Sequence, residues 1–225
     1  MADLPAPDAP TPDSPAPGSP SPDFLATGTR VGIRPYSLDA ADVAEFTARA
    51  RESVELHRPW LFPPTGATAY TEYAGRLIAD PARYGFLVYE RNGGASGTLT
   101  GSLAGFININ NVVLGAFRCG ALGYGAFAHA AGRGLMSEGL DLVVRQAFGP
   151  LGLHRLEINV QPGNAASIAL ARRAGFRLEG LSPDFLFIDG AWRDHERWAL
   201  TAEMTRQGGG QGPSFGSGPS GATSC

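Results

Sequence analysis

Cysteine is scarce in this chain, apolar runs are short, and positive charge is not in excess. Of the two cysteines in 225 residues, Cys119 lies inside an apolar segment and Cys225 ends a Gly/Ser stretch. Neither a disulfide framework nor a metal-ligand spacing results, and both read as inert thiols. No run approaches the roughly 18 to 20 apolar residues that a membrane-crossing helix needs, and the first residues form neither a basic nor an apolar region of the kind that directs export. The cytoplasm is the expected location, with no membrane partner. A formal net charge of -3 removes the basic excess that phosphate-backbone binding requires, so no direct nucleic-acid partner is expected, whereas a basic peptide suits such a surface. No feature marks a self-complementary interface, and oligomeric state stays open.

Composition divides the chain in three. Residues 1–29 alternate Pro with Ala, Asp and Ser, offer almost nothing to bury, and read as a disordered, partly polyproline-like arm. Residues 206–225 read as a flexible Gly/Ser tail. The unit between them, 30–205, is long enough for one domain with a full core. Val31 to Arg34 reads as a strand stopped by Pro35, and Asp39 caps a helix to about Ser53 with Val43, Phe46 and Ala50 on one face. A second helix runs from about Ala67 to Ala79. Gly85 to Glu90 and Thr98 to Asn110 read as a hairpin around the loop RNGGASG, and Ala121 to Phe127 as a third strand. A helix to Phe148, a strand at His154 to Val160, a helix at Asn164 to Arg173 and two strands around an Asp189-Gly190 turn complete the order β-α-α-β-β-β-α-β-α-β-β. That order describes an α+β domain with a mixed, mostly antiparallel central sheet flanked by helices.

The stretch AGRGLMSEGLDLVVRQAF, from Ala131, joins the third strand to its helix. A glycine loop opening into a helix gathers free N–H groups and the positive end of the helix dipole at one point, which suits an anion. Each charge-assisted N–H bond contributes roughly 1.5 to 3 kcal/mol, so three or four hold a pyrophosphate without a lysine. Gly132 and Gly134 let the backbone approach such a ligand; the bland alternative is a tight turn with no ligand. The missing Gly-Lys-Ser/Thr excludes a P-loop, and the spacing is not that of a dinucleotide fold.

The next strand ends in QPGNAASIALARRAGF, Gln161 to Phe176, with Asn164 placed as an N-cap and Gly175 closing the helix. The glycine loop together with N-x-x-S-x-x-L-x-x-x-G-F resembles the GNAT superfamily of acyl-CoA-dependent N-acetyltransferases. FLFIDGAWRDHERWAL, NVVLGAF, LGYGAF and GLMSEGL resemble its RimJ/RimL branch, the ribosomal-protein N-terminal (alanine) acetyltransferases. The resemblance covers nearly all of 31–202 and neither flank. It implies the GNAT fold, acetyl-CoA as co-substrate and no metal. It further implies that the backbone N–H groups of Gly132, Arg133, Gly134, Leu135 and Met136 hold the pyrophosphate, that Tyr124, Gly125, Ala126 and Phe127 line the pantetheine arm, that Asn164 contacts the cofactor, and that Ser167 protonates the leaving thiolate. Ala171 stands where many members carry a catalytic tyrosine, and Ala131 replaces the Gln or Arg that often starts the loop.

Transfer requires a neutral amine. An α-amine with a pKa near 7.8 costs about 1 kcal/mol to deprotonate at pH 7, and a lysine near 10.4 about 4 to 5 kcal/mol. No glutamate pair is placed to help, and Leu186 sits where a related branch has its proposed glutamate, which favours an α-amine. Asp184, before the strand FLFI, is the preferred base and Glu157 the other candidate; either also reads as a solvated carboxylate. Trp60, framed by prolines in HRPWLFPP, reads as a wall of the acceptor site or as a core plug. His57, His129, His154 and His195 show no metal spacing. His195 reads as an anchor of the last strand through Arg193 and Asp194, and Glu138 as a partner of the helix dipole. Three readings follow: an acetyltransferase for a protein N-terminus, ribosomal by the resemblance; one for a small-molecule amine such as an antibiotic or amino acid; and a non-catalytic acyl-CoA-binding module.

Overall fold

The computed structural model describes residues 24–91 and 101–208. In chain order the elements are β1 (Ala26–Thr27), β2 (Val31–Pro35), α1 (Ala40–Glu52), α2 (Val54–His57), α3 (Ala67–Ala79), β3 (Tyr84–Glu90), β4 (Leu103–Val113), β5 (Cys119–Ala126), α4 (Leu135–Phe148), β6 (Arg155–Val160), α5 (Ala165–Arg173), β7 (Arg177–Ile188), β8 (Ala191–Thr201) and α6 (Ala202–Gly208), with a 3-10 turn at Ala128–Ala130 before α4. The strands form one sheet in the order β1-β2-β3-β4-β5-β6-β8-β7. Every junction is antiparallel except β5 with β6.

Alternation along the first strands decides the layering, since successive side chains enter opposite faces of a sheet. Ile33, Val88 and Ile107 join Leu135, Leu140 and Val143 of α4 in one core. Leu87, Tyr89 and Phe106 join Phe46 of α1 and Tyr70 and Leu77 of α3 in the other. Covered on both faces, β4 is buried at each of its first seven residues. Where β2 meets α1, Arg34 donates to Asp42 at 2.8 Å and to the Tyr89 hydroxyl at 2.6 Å, and the Ser37 hydroxyl donates to Asp42 at 2.6 Å. Burial works against charge on Asp42, but the bonds from Arg34 and Ser37 outweigh it and hold the carboxyl below its ordinary value. The segment after α2 is fastened by His57, which is buried and whose Nε2 lies 2.7 Å from the Ala126 carbonyl at the end of β5.

Two features of the sheet create the site. The parallel pairing of β5 with β6 runs only from Cys119↔Arg155 to Leu122↔Ile158. From Gly123 onward β5 stays bonded to β4 and leaves β6, so the strands splay. At the far edge, β7 changes register between Ser182↔His195 and Leu186↔Arg193, with Asp184 at φ 47° inside the bulge. The bulge turns Phe185 and Leu186 toward the splay.

The arm read over 1–29 does not extend to residue 29. Leu25 donates to Ile33 at 2.9 Å, Gly28 donates to Val31 at 2.8 Å, and the Phe24 ring meets Tyr89 edge-on at 6.2 Å. Two short bonds and one aromatic contact give these residues something to bury that their composition does not announce. β1, α2 and α6 are additions to the expected order; each is too short for periodicity to reveal. The rest of the arm (1–23), the hairpin loop and strand start at 92–100, and the tail from 209 lie outside the described residues. Among the described residues no helix is long and apolar enough to cross a membrane.

Candidate active site

The glycine loop is held open by its own dihedral angles. Gly132 and Gly134 adopt φ 73° and 77°, a left-handed conformation that costs a residue with a Cβ about 1 to 2 kcal/mol. Among the described residues, the N–H groups of Gly132, Arg133, Gly134, Leu135 and Met136 have no carbonyl partner of hydrogen-bond geometry. The carbonyls behind them are engaged: Arg30 donates to Arg133 O at 3.0 Å and to Gly134 O at 3.2 Å. The same arginine holds Glu138 in the first turn of α4, through its backbone N–H at 2.8 Å and Nε at 3.1 Å. Burial alone would raise the Glu138 carboxyl, but these bonds lower it below its ordinary value. The Arg133 side chain turns away to pair with Glu90, and Leu135 and Met136 are buried, so the loop offers backbone donors alone.

Below the loop, the splay of β5 from β6 opens a cavity of about 340 Å³. Tyr124 of β5 and Ser167 of α5 meet across it, hydroxyl to hydroxyl, at 2.8 Å. Burial pushes the Tyr124 phenol up to about 12, so it is protonated at neutral pH. Two O–H groups share one bond, which leaves one free to donate into the cavity. Asn164 caps α5 by accepting from the Ser167 N–H at 3.1 Å and so fixes the serine's turn. Trp60 forms another wall against the β6–α5 loop: a Cβ placed on Gly163 would lie 3.1 Å from the indole Cη2.

Tyr124, Asn164, Ser167 and Trp60, expected from sequence, therefore share one cavity. The five loop residues stand at the N-terminus of α4 with free N–H groups. Gly125 and Phe127 are buried instead: Gly125 lies under the Phe106 ring, Phe127 sits in the α1/α3 core, and the Ala126 carbonyl is taken by His57. Of β5, Ala121 to Tyr124 line the cavity.

Asp184, the expected base, is not brought in. It is exposed on the β7 bulge, its N–H donates to Asp194 Oδ1 at 2.9 Å, and it is not among the residues lining the cavity. Glu157 is held by Arg155 at 2.9 Å and by Arg197 at 2.8 Å, and these pairs keep its carboxyl low against the opposing effect of burial. In their place the cavity is lined by His195, with Asn110, Asn111 and Phe185. His195 is 2% exposed, and its Nδ1 lies 2.9 Å from the Arg193 carbonyl. The anchoring read for it is present, through the backbone of Arg193. Its burial arises when β8 is sandwiched between β6 and β7, and no local pattern announces that.

A backbone anion cradle at a helix N-terminus, beside a parallel splay with a hydroxyl pair at its mouth, defines an acyl-CoA-dependent transferase fold. The chain belongs to the acetyltransferase (GNAT) domain family, whose model matches residues 30–177.

Among particular relatives, the chain is 41% identical over 99 residues to the [ribosomal protein uS5]-alanine N-acetyltransferase of Escherichia coli (strain K12), across 44% of this chain and 51% of that protein. The match thus spans about half of that relative's length. It is 33% identical over 130 residues to the Bacillus subtilis (strain 168) protein named "Probable N-acetyltransferase YjcK", across 58% of this chain and 67% of that one. Among solved structures, Mycobacterium smegmatis RimJ in complex with CoA-disulfide superposes with a TM-score of 0.71 at 29% identity, covering 81% of this chain and 88% of that one.

Proposed function

We propose that this domain transfers the acetyl group of acetyl-CoA to the N-terminal α-amine of a protein, a ribosomal protein by the kinship of its relatives, by direct transfer in a ternary complex. The observation that carries the reading is the lining of the cavity. It joins the hydroxyl pair to apolar and amide side chains and includes no carboxylate among the described residues. A polyamine would bring several positive charges with nothing to pair them, and a lysine would need roughly 4 to 5 kcal/mol of help in shedding its proton. An α-amine brings one charge and needs about 1 kcal/mol.

The residues present fit the co-substrate. The loop N–H groups of Gly132 to Met136 would take the pyrophosphate, with no Cβ at Gly132 or Gly134 to stand in the way. The free edge of β5 past Leu122 offers backbone groups to the pantetheine amides, and Asn164 borders the same path. Acetyl-CoA supplies an activated thioester. Ser167, with Tyr124 behind it, supplies the proton that the departing thiolate needs. Cys119 is buried, and burial pushes its thiol up, so it is a poor nucleophile and a covalent acyl-enzyme has no support.

Thiol release from acetyl-CoA, followed with free α-amino peptides, α-blocked lysine-containing versions and a panel of small amines, tests the reading. Turnover confined to free α-amino peptides is the expected result. Turnover on small amines alone would replace the acceptor, and cofactor binding without turnover on any amine would overturn the enzyme reading in favour of a binding module.

A further inference from the structure

The acetyl-transfer reading needs a group that accepts a proton from the incoming amine, and neither carboxylate suggested by the sequence reaches the cavity. Among the described residues lining it, only Tyr124 and His195 carry titratable side chains. Tyr124, kept protonated by burial, serves the opposite task. We propose that His195 is a catalytic residue, with Nε2 as the proton acceptor for the substrate amine. The proposal rests on the acetyl-transfer reading and extends it.

The geometry sets the tautomer. Nδ1 lies 2.9 Å from a backbone carbonyl, which can only accept, so Nδ1 carries a proton, and in the neutral ring Nε2 then presents a lone pair. Nε2 is not among the fully buried polar atoms lacking a partner, so packing does not seal it from the cavity that the ring lines. The ring is held in place by Phe185, edge-on at 5.8 Å, which the β7 bulge brings inward.

Of the charged groups around it, Asp184 and Arg193 have exposed side chains and the others are engaged elsewhere. On β8, Asp194 accepts from the Asp184 N–H, Glu196 accepts from the Trp198 indole at 2.9 Å, and Arg197 pairs with Glu157 of β6 while lying 4.3 Å over the Phe185 ring. On β7, the residue opposite is Ser182, which is neutral. On β5, the titratable neighbour of the cavity is Tyr124. No lining carboxylate competes for the amine.

The step balances. The ammonium nitrogen sheds two protons as it forms its bond to the acetyl carbonyl carbon and the carbon–sulfur bond breaks. One proton passes to Nε2 and on to solvent, and one neutralises the thiolate by way of Ser167. Ser167 from α5 and His195 from β8 thus work the same cavity from different walls.

The test compares wild type with His195→Gln across about pH 6 to 9, using a free α-amino peptide. At pH 7 the variant is expected to lose about 100-fold in kcat/KM, with acetyl-CoA affinity unchanged by calorimetry. The deficit should shrink toward pH 9 as the amine loses its own proton. A variant within about threefold of wild type across the range, while wild type turns over, overturns this proposal alone. A wild type that binds acetyl-CoA and turns over no amine overturns the acetyl-transfer reading and this proposal with it. A readout on the unmodified protein guards against a misfolded variant: nitrogen-15 NMR of the histidine rings should find the His195 proton on Nδ1, and a proton resident on Nε2 overturns the assignment.

Discussion

The two walls of the cleft are built to opposite standards. On the cofactor side, the carbonyls behind the loop N–H groups are tied down by one arginine, and α4 is packed against a strand layer buried on both faces. On the side of the β7–β8 hairpin, β7 is an edge strand exposed along most of its length, broken by two register shifts, with Phe187 and Trp192 63% and 60% exposed beside each other. On the proposed reading, the difference separates a recognition problem with one answer, a pyrophosphate, from one with many, an amine and whatever carries it. Donors for an invariant ligand can be made rigid by core packing, whereas an edge hairpin changes its outward side chains at little cost to stability.

Substitutions should respect that division. The largest effect is expected from Ser167→Ala, which on the proposed mechanism leaves the thiolate without its donor and should lower kcat about 100-fold while the acetyl-CoA KM holds, measured by thiol release. Gly134→Val comes next: a Cβ at this left-handed position costs about 1 to 2 kcal/mol, and a loop that relaxes to relieve it turns one N–H off the ligand, a bond of about 1.5 to 3 kcal/mol, so acetyl-CoA should loosen by about 40-fold in calorimetry. Arg30→Ala releases two loop carbonyls and Glu138 without removing any donor to the ligand, so a rise of about fivefold in acetyl-CoA KM with kcat unchanged is expected. A change in kcat instead would mean that the loop is not organised separately from the chemistry.

On the other wall, replacing Phe187 and Trp192 together by serine should leave the acetyl-CoA Kd and the melting temperature near wild type and shift peptide KM by about threefold. Loss of cofactor binding in that variant would break the comparison.

The smallest effect concerns the fastening of β5. Burial lowers the His57 pKa, against the smaller opposing effect of its bond to Ala126 O, so the folded state prefers the neutral ring. Its contribution to stability is therefore full above the unfolded value of about 6.5 and is lost as pH falls through the lower folded value. The melting temperature of wild type should drop more between about pH 7 and 5 than that of His57→Asn, and equal slopes would show that the ring titrates freely.

What the sequence disclosed follows the same boundary between local and distant causes. The helix over Ala67–Ala79, the Asn164 cap and the glycine loop before α4 were legible because each depends on residues within one turn of itself. Ser167 and Tyr124 were legible by resemblance, and the fold brings them to 2.8 Å. The placements of Asp184, exposed outside the cavity, and of His195, buried in its lining, were not legible because strand pairing and register decide them. The bulge that exposes the aspartate is the one that swings Phe185 against the histidine, and it is a property of the β7–β8 register, not of either residue's neighbours.

Trp60 and Gly163, remote in sequence, stand so close that a methyl group at 163 would lie 3.1 Å from the indole and press it back by a few tenths of an ångström. The two positions are coupled: a side chain at 163 displaces the indole, and a smaller residue at 60 leaves the glycine with nothing to fit. Across descendants of this domain the two sites should covary as a pair, and changes in acceptor range should arrive in jumps where both have moved.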